Sequence, residues 1–171
     1  MDFFRVLKKR HSIRSFLDKK VKEKDLRRIL EAANSAPSAG NLQAYEIIVI
    51  EKQKTKEKLA EAALMQEFIA EAPVVLVFVA NPRRSTCKYG ERGKFYSVLD
   101  AAIAAAYAQL AATALGLATC WVGAFEDEKV IEILKIPKDV RVVAIMPLGY
   151  AAEKPYITKR RKLEEIVHRE S

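Results

Sequence analysis

The sequence predicts a fold in which helices cover both faces of a β-sheet, of either the α+β or the α/β class. Two runs of strand length, 45–51 (YEIIVIE) and 73–80 (PVVLVFVA), are rich in β-branched residues and almost continuously apolar, a pattern typical of strands buried on both faces. A helical stretch over about 55–68 lies between them. With 171 residues the chain has room for one domain with its own core.

A capping residue and a proline predict where the first two helices begin or end. Asp2 is expected to cap a short helix whose apolar face includes Val6. A second helix, over about 23–35, ends before Pro37, because a residue that precedes proline is disfavoured in the helical conformation. The carboxyl-terminal half adds two strands, 118–122 and 140–148, and a helix over 127–134 that lies between them.

The stretch 101–125 contains no charged side chain, and its length exceeds the ~20 residues that a bilayer span requires. It is mostly alanine and carries Gln109, however, and alanine contributes little transfer energy. We therefore predict a helix over about 95–115 that is buried in the core or in a subunit interface and does not cross a membrane. Gly116 suits the end of that helix, where a strand begins.

Composition excludes several classes of protein. With 50% hydrophobic and 30% charged residues the chain is neither disordered nor collagen-like. Two cysteines, Cys87 and Cys120, and two histidines, His11 and His168, build no disulfide framework and no Cys-based zinc site, so we expect no metal. The amino terminus lacks the apolar segment of a secretory signal, and we expect a cytoplasmic protein.

Positive charge is concentrated at the amino terminus. Residues 1–28 contain eleven Lys or Arg and four Asp or Glu, a net +7 out of the +8 of the whole chain. This pattern has three interpretations: a solvated helix face, a nucleic-acid patch, or part of a site for an anionic small molecule.

Polar residues form three clusters: 10–14 (RHSIR), 36–43 (APSAGNLQ) and 159–162 (KRRK). In the first, two guanidiniums, an imidazole and a hydroxyl suit a phosphate. In the second, small residues allow backbone to approach a flat ligand, and Asn41 and Gln43 offer amides to the edge of a heterocycle. Each cluster alone also fits a solvated helix end, an ordinary turn or a solvated tail.

Taken together, the clusters resemble the flavin-dependent nitroreductase family. The resemblance rests on KKRHSIRSF (8–16), APSAGNLQAYEIIVI (36–50), DAAIAAAYAQLAATALGLATCWVGAF (100–125) and PLGYAAEKPYITKRRKLEEIV (147–167). It implies one FMN-binding domain over 1–171 of the α+β class, with a central mixed β-sheet flanked by helices. It also implies a homodimer with a long buried core or interface helix and FMN held between the subunits.

The resemblance assigns residues to the cofactor. The FMN phosphate and ribityl end are expected at Arg10, His11, Ser12 and Arg14, with Lys159 and Arg161 returning to the phosphate. A loop from the other subunit is expected to lie against the ring, at Pro37, Ser38, Asn41 and Gln43. A second loop is expected to pass the reactive edge of the ring, at Val122, Gly123 and Ala124. No protein side chain need act as an acid or base.

The interval between Ala80 and Phe95 is short for this family. Substrate pockets are often shaped there, which makes Tyr89, Phe95 and Tyr96 the candidate pocket walls. The implied activity is hydride transfer from NAD(P)H through FMN to an electron-poor acceptor, such as a nitroaromatic or a quinone, with ping-pong kinetics. Two alternatives remain open: a flavin-binding or sensory protein without efficient turnover, and a basic nucleic-acid-binding domain.

Overall fold

Four strands form one sheet in the computed structural model, which describes residues 2–170. They are β1 (Tyr45–Ile50), β2 (Val74–Ala80), β3 (Ala118–Thr119) and β4 (Arg141–Gly149). Their order across the sheet is β1-β2-β4-β3, so β1 and β3 are the two edge strands. Seven α-helices surround the sheet: α1 (Phe3–Lys9), α2 (Glu23–Asn34), α3 (Gln53–Ala62), α4 (Phe68–Glu71), α5 (Arg83–Tyr89), α6 (Arg92–Ala114) and α7 (Asp127–Leu134).

Strand β2 shows why the sheet needs helices on both sides, since each of its seven residues is buried. Leu76 and Phe78 belong to the core cluster that contains α2 and α6. Val75 and Val77 point the opposite way, into a second cluster that contains α3, α4 and α7. The prediction of a sheet covered on both faces is confirmed.

The strands pair differently from a β-α-β unit. β1 and β2 are adjacent and antiparallel, with Tyr45 opposite Ala80, and β4 is antiparallel to both β2 and β3. The predicted mixed sheet is thus antiparallel in all four strands, and within residues 2–170 the one parallel pairing is a bridge from Ser12 to Thr119. The connection of α3 and α4 returns the chain to the same edge instead of crossing the sheet.

Helix α6 is the predicted alanine-rich helix, begun three residues earlier. It is long and apolar enough to span a membrane by length and composition alone. Its buried face, however, packs against the sheet and α2 and includes a carboxylate, Asp100, and an amide, Gln109. It is therefore a core helix, and Gly116, at φ +78°, follows its end as predicted.

Three local predictions need correction. The helix predicted over 55–68 is two helices, because Leu64 and Met65 both adopt positive φ and interrupt it. The sequence analysis predicted no helix between the second strand and the alanine-rich helix, yet residues 83–89 form α5, on which Cys87 is exposed. The strand predicted over 118–122 is shorter, and continues only as an isolated bridge between Val122 and Ile145.

The carboxyl-terminal tail, residues 151–170, leaves the sheet after β4. Every one of its residues is exposed. Its first residues are tied to the segment after α1 by a bridge between Phe16 and Ala151 and by a hydrogen bond from Ala152 N–H to the Ser15 carbonyl (2.9 Å). Beyond them, a single 3-10 turn at Leu163–Glu165 is the regular structure recorded for the described part of the tail.

Candidate functional site

The basic amino-terminal segment, residues 10–14, runs from the end of α1 along the edge strand β3. Ile13 is buried and donates its N–H to the carbonyl of Thr119 (3.1 Å). Gln109 on α6 donates to the hydroxyl of the same threonine (3.3 Å). Because Ile13 anchors the segment, its polar neighbours stay partly or fully accessible; these are Arg10, His11, Ser12 and Arg14.

The pKa of the buried Cys120 thiol is affected by several side chains of this segment. Burial raises the pKa of Cys120, while the Arg14 guanidinium, hydrogen bonding to Ser12 and the charge of Arg10 act in the opposite direction. Burial dominates, so the thiol stays protonated at neutral pH. Ser12 itself pairs with Thr119, the neighbour of Cys120, at the edge of the sheet.

The two arginines of the segment are available to a ligand. Within residues 2–170, neither the Arg10 nor the Arg14 guanidinium takes part in an ion pair. The nearby carboxylate of Glu153, at the start of the tail, accepts instead from the backbone N–H of Arg14. The segment therefore presents charge-assisted donors of the kind that bind a phosphate.

The small-residue loop, residues 36–43, joins α2 to β1. Gly40, Asn41 and Gln43 all adopt positive φ, which side chains other than glycine rarely do. Side chains hold this shape: the Ser38 hydroxyl accepts the backbone N–H of Gln43 (3.0 Å), and the Gln43 amide donates to the Asn41 amide oxygen (2.6 Å). The predicted ring-binding residues Ser38, Asn41 and Gln43 therefore lie together.

A residue that the sequence did not single out supports this loop. Asp100, on α6, is 2% exposed, and its carboxylate accepts the backbone N–H groups of Ala39 (2.9 Å) and Ala44 (3.4 Å). It therefore holds the loop at both ends. Its position in the sequence could have revealed it, since Asp100 is the last charged residue before the uncharged stretch 101–125.

The three predicted pocket walls do not share one cavity: Tyr89 lies against the loop at Gly40, and Tyr96 and Phe95 line different cavities. The rings of Tyr89 and Tyr96 meet edge to face, with centroids 5.1 Å apart. Tyr96, together with Pro37 and Ser38, lines a cavity of about 290 Å³. Phe95 lines another, of about 650 Å³, on the other side of α6.

The second ring-edge loop, residues 122–124, is only partly exposed. Val122 is buried and pairs with Ile145 of β4 through two backbone hydrogen bonds (2.9 and 3.0 Å). Gly123 and Ala124 are exposed, and Gly123 lines the 650 Å³ cavity together with Phe95. The Val122 side chain is therefore a core element, and the two residues after it offer accessible backbone.

The tail cations do not reach the amino-terminal segment within this chain. Lys159 and Arg161 are exposed, and Arg161 is paired with Glu165 in the same tail (3.2 Å). Among residues 2–170, no hydrogen bond or ion pair connects either of these cations with Arg10 or Arg14.

The amino-terminal segment and the small-residue loop lie at opposite corners of the sheet. The loop enters β1 at Tyr45, which is level with the Arg141 end of β4 across β2. The segment lies along β3, which pairs with β4 at its other end, at Gly149. From residue spacing and strand separation, the corners are roughly 25 Å apart along the strands and roughly 14 Å across them. Within one chain, the groups predicted to bind the phosphate and those predicted to bind the ring are thus too far apart to contact the same flavin.

Comparison with known proteins decides the family. The family model described as "Nitroreductase family" matches residues 7–67 and 62–150. The chain belongs to the nitroreductase family. The matched ranges include all four strands, the amino-terminal segment and the small-residue loop, and the resemblance seen in the sequence is confirmed.

Other nitroreductase-like proteins match along most of their length. A Thermus thermophilus protein named NADH dehydrogenase is 35% identical over 187 residues, covering 93% of this chain and 91% of the relative. The Bacillus subtilis FMN reductase [NAD(P)H] is 32% identical and covers 94% and 70% respectively. The solved structure of B. megaterium NfrA2 has a TM-score of 0.92 at 30% identity, covering 100% of this chain and 75% of the other. The α+β nitroreductase fold is confirmed.

Proposed function

We propose that this nitroreductase-family chain binds FMN between two identical subunits and transfers hydride from NAD(P)H to an electron-poor acceptor. The coarser part of this statement, an NAD(P)H oxidoreductase, follows from the family and from the activities in the names of the relatives. We treat residues 1–171 as one FMN-binding domain and the cytoplasm as its location. The observation that carries the finer proposal is the placement of two complementary half-sites at opposite corners of one sheet.

The donor set of the first half-site fits a phosphate. Arg10 and Arg14 supply guanidinium forks, and Ser12 supplies a hydroxyl, at one edge of the sheet. A hydrogen bond to a charged group contributes roughly 1.5–3 kcal/mol. Three such bonds are comparable with the ~8 kcal/mol of a micromolar complex. These three side chains and His11 would hold the phosphate and ribityl end, with Lys159 and Arg161 joining from the tail.

The second half-site fits a flat ring. The loop is built from small residues in strained conformations, so its backbone can approach a ring face closely. Its amides, Asn41 and Gln43, are fixed by hydrogen bonds to each other and present polar atoms to a ring edge. Pro37 and Ser38 continue that surface, and Gly123 and Ala124 would border the reactive edge.

Bound FMN would supply the redox chemistry, accepting hydride at its N5 atom and passing it on. The protein would orient the ring and place positive charge and backbone N–H groups where negative charge develops. A single stacking site for nicotinamide and acceptor predicts ping-pong kinetics. We propose nitroaromatics and quinones as acceptors, with Tyr89, Phe95 and Tyr96 as pocket walls.

Two subunits are required to bring the corners together. A two-fold axis gives each site the segment of one chain and the loop of the other. Exposed apolar side chains mark surfaces for the contact: Phe3, Phe4 and Leu7 on α1, Leu99 and Tyr107 on α6, and Tyr156, Ile157, Leu163, Ile166 and Val167 on the tail. Exposed apolar side chains that cluster on one element are typical of protein interfaces.

The experiment is to replace Arg10 and Arg161 together by alanine and to record the visible flavin absorbance of the purified protein. We expect flavin affinity to fall about a hundredfold or more, given two lost charge-assisted bonds. The matched control, Arg28→Ala with Arg160→Ala, removes equal charge and should stay yellow. A fully yellow double variant contradicts the proposal. Rapid bleaching of the wild type by NADH or NADPH distinguishes an enzyme from a flavin-binding protein without turnover.

A further inference from the structure

The chain carries a second concentration of positive charge, on α5 and the start of α6. Residues 83–94 contain five Lys or Arg and one Glu. Two of these cations are occupied, since Arg83 is paired with Asp139 and Lys94 with Glu91. Within residues 2–170 the other three form no ion pair; we call them the cationic rim, and they are Arg84, Lys88 and Arg92.

Each member of the cationic rim is tied to the small-residue loop or to its aromatic wall. The Arg84 side chain donates to the carbonyl of Leu42 (3.0 Å). The Lys88 ammonium lies 2.9 Å from the position that a Cβ at Gly40 would take. The Arg92 guanidinium lies over the ring of Tyr96, 5.7 Å from its centroid. The rim therefore borders the proposed ring-binding surface directly.

The cavity beside the rim has a mainly apolar lining, to which the buried Asp100 also contributes. Tyr96, Leu99, Ile103 and Pro37 contribute to the lining of the 290 Å³ cavity. Tyr89 packs edge to face on Tyr96, and its hydroxyl oxygen lies 2.5 Å from the Cβ position at Gly40 in the loop. An aromatic surface edged by unneutralised cations suits a ligand that joins a heterocycle to several phosphate charges.

We propose that the cationic rim binds the adenosine phosphates of the nicotinamide nucleotide and makes the enzyme prefer NADPH to NADH. The proposal rests on the proposed function only in taking NAD(P)H as the reductant. The two nucleotides differ by one phosphate monoester, which carries about −1.5 to −2 charge at pH 7. Within the described chain no carboxylate forms an ion pair with the rim, so its cations are free to donate to the extra phosphate of NADPH. Each such charge-assisted hydrogen bond favours the binding of NADPH over NADH.

A kinetic comparison tests the preference. We choose Lys88→Gln with Arg92→Gln, because Arg84 also supports the loop backbone. We expect wild-type kcat/KM to be at least tenfold higher for NADPH than for NADH, and the double variant to lose most of that ratio through the NADPH value. The control, Lys54→Gln with Lys58→Gln on the exposed surface of α3, removes the same charge beyond the far end of β1 and should keep the ratio.

A binding measurement gives a readout independent of turnover. Adenosine 2′,5′-bisphosphate and 5′-AMP are titrated by calorimetry into the protein as purified, whether or not it carries flavin. We expect the bisphosphate to bind at least tenfold more tightly and this advantage to vanish in the rim variant but not in the α3 control. Equal affinities, or equal losses in both variants, overturn the proposal.

The proposed function and the proposed preference for NADPH can be refuted independently of each other. A protein that holds no flavin, or that neither nucleotide reduces, refutes the proposed function, and the calorimetric comparison still decides the rim. Conversely, a protein that both nucleotides reduce equally well, with an unchanged ratio in the rim variant, keeps the proposed function and refutes the rim. Bisphosphate binding that is abolished in the α3 control reports charge in general and also counts against the rim.

Discussion

The small-residue loop and the carboxyl-terminal tail, both assigned to the flavin by family resemblance, differ in how this chain holds them. The loop is fixed by Asp100, Ser38 and Arg84 before any ligand arrives. The tail is exposed throughout, and within the described residues beyond Glu153 its hydrogen bonds stay inside the tail. The single chain therefore preorganises the loop proposed to bind the ring, whereas ordering of the tail is expected to need the proposed second subunit.

The largest expected effect is that of removing the tail. A chain that ends at Pro155 should keep its sheet and helices, because the described residues removed, 156–170, are exposed and contribute little to the core. It should, however, become monomeric and lose its flavin, since the apolar side chains proposed to contact the partner subunit and two proposed phosphate ligands are gone. Sedimentation velocity, visible absorbance and thermal unfolding measure the three properties. A truncated protein that remains a yellow dimer contradicts the proposal that the tail holds the partner subunit and the flavin.

The full-length variant Ile166→Ser with Val167→Ser serves as the control for the truncation. It keeps Lys159 and Arg161 but removes apolar surface from a region that is about half exposed in the single chain. We expect a weakened dimer whose flavin content recovers at high protein concentration. Flavin loss that does not depend on protein concentration would show that the tail acts in another way.

The next largest effect is that of Asp100→Ala in the loop. Two backbone N–H groups, those of Ala39 and Ala44, lose their acceptor. A buried donor without a partner costs about 1–3 kcal/mol, so the free energy of unfolding should fall by roughly 2–6 kcal/mol, with loss of flavin. Asp100→Asn keeps one acceptor oxygen and should lose about half as much. Urea unfolding measures both, and equal stability of the two variants would refute the bridging role.

Gly40→Ala tests the close approach of α5 to the loop. The added methyl meets the Tyr89 hydroxyl at 2.5 Å, in a backbone with φ +58°. Gly116→Ala is the control, because Gly116 also has a positive φ (+78°), at the end of α6, and nothing lies within 4 Å of the new methyl. The left-handed conformation costs roughly 1–2 kcal/mol in both variants. A larger loss at Gly40 in urea unfolding would measure the steric part alone, and equal losses would show that Tyr89 moves aside freely.

The smallest effect concerns Tyr45, which fixes the exit of the loop. Its hydroxyl donates to the Ala33 carbonyl (3.1 Å), so Tyr45→Phe should lose about 1 kcal/mol near neutral pH. Burial and then the charge of Asp100 raise the pKa of Tyr45 above 10.0. Above pH 10 the unfolded chain releases this proton and the folded one does not, so wild-type stability falls.

The phenylalanine variant lacks this titration, and its stability deficit relative to the wild type should shrink as the pH rises above 10. Urea unfolding at pH 8 and pH 11 measures the two differences. A constant deficit would show that the Tyr45 proton does not differ between the folded and unfolded states.

Local chemistry allowed much of the fold to be predicted. The helix over 127–134 and the cap at Asp2 are found as predicted. The strand β2 begins within one residue of its predicted start. These features depend on neighbours close in sequence, such as apolar periodicity and a side chain that accepts a nearby N–H. The RHSIR and APSAGNLQ motifs were equally readable, and both lie where a ligand can reach them.

The sequence by itself determined which stretches are buried on both faces, where most helices begin and end, and to which family the chain belongs. Only the tertiary structure decided that β1 pairs antiparallel with β2, that Asp100 bridges a loop sixty residues away in sequence, and that the two half-sites occupy opposite corners. Burial can be predicted from nearby residues, because buried positions recur with the period of the helix or strand that contains them. Pairing and distance depend on which distant segments meet, and no local pattern encodes that choice.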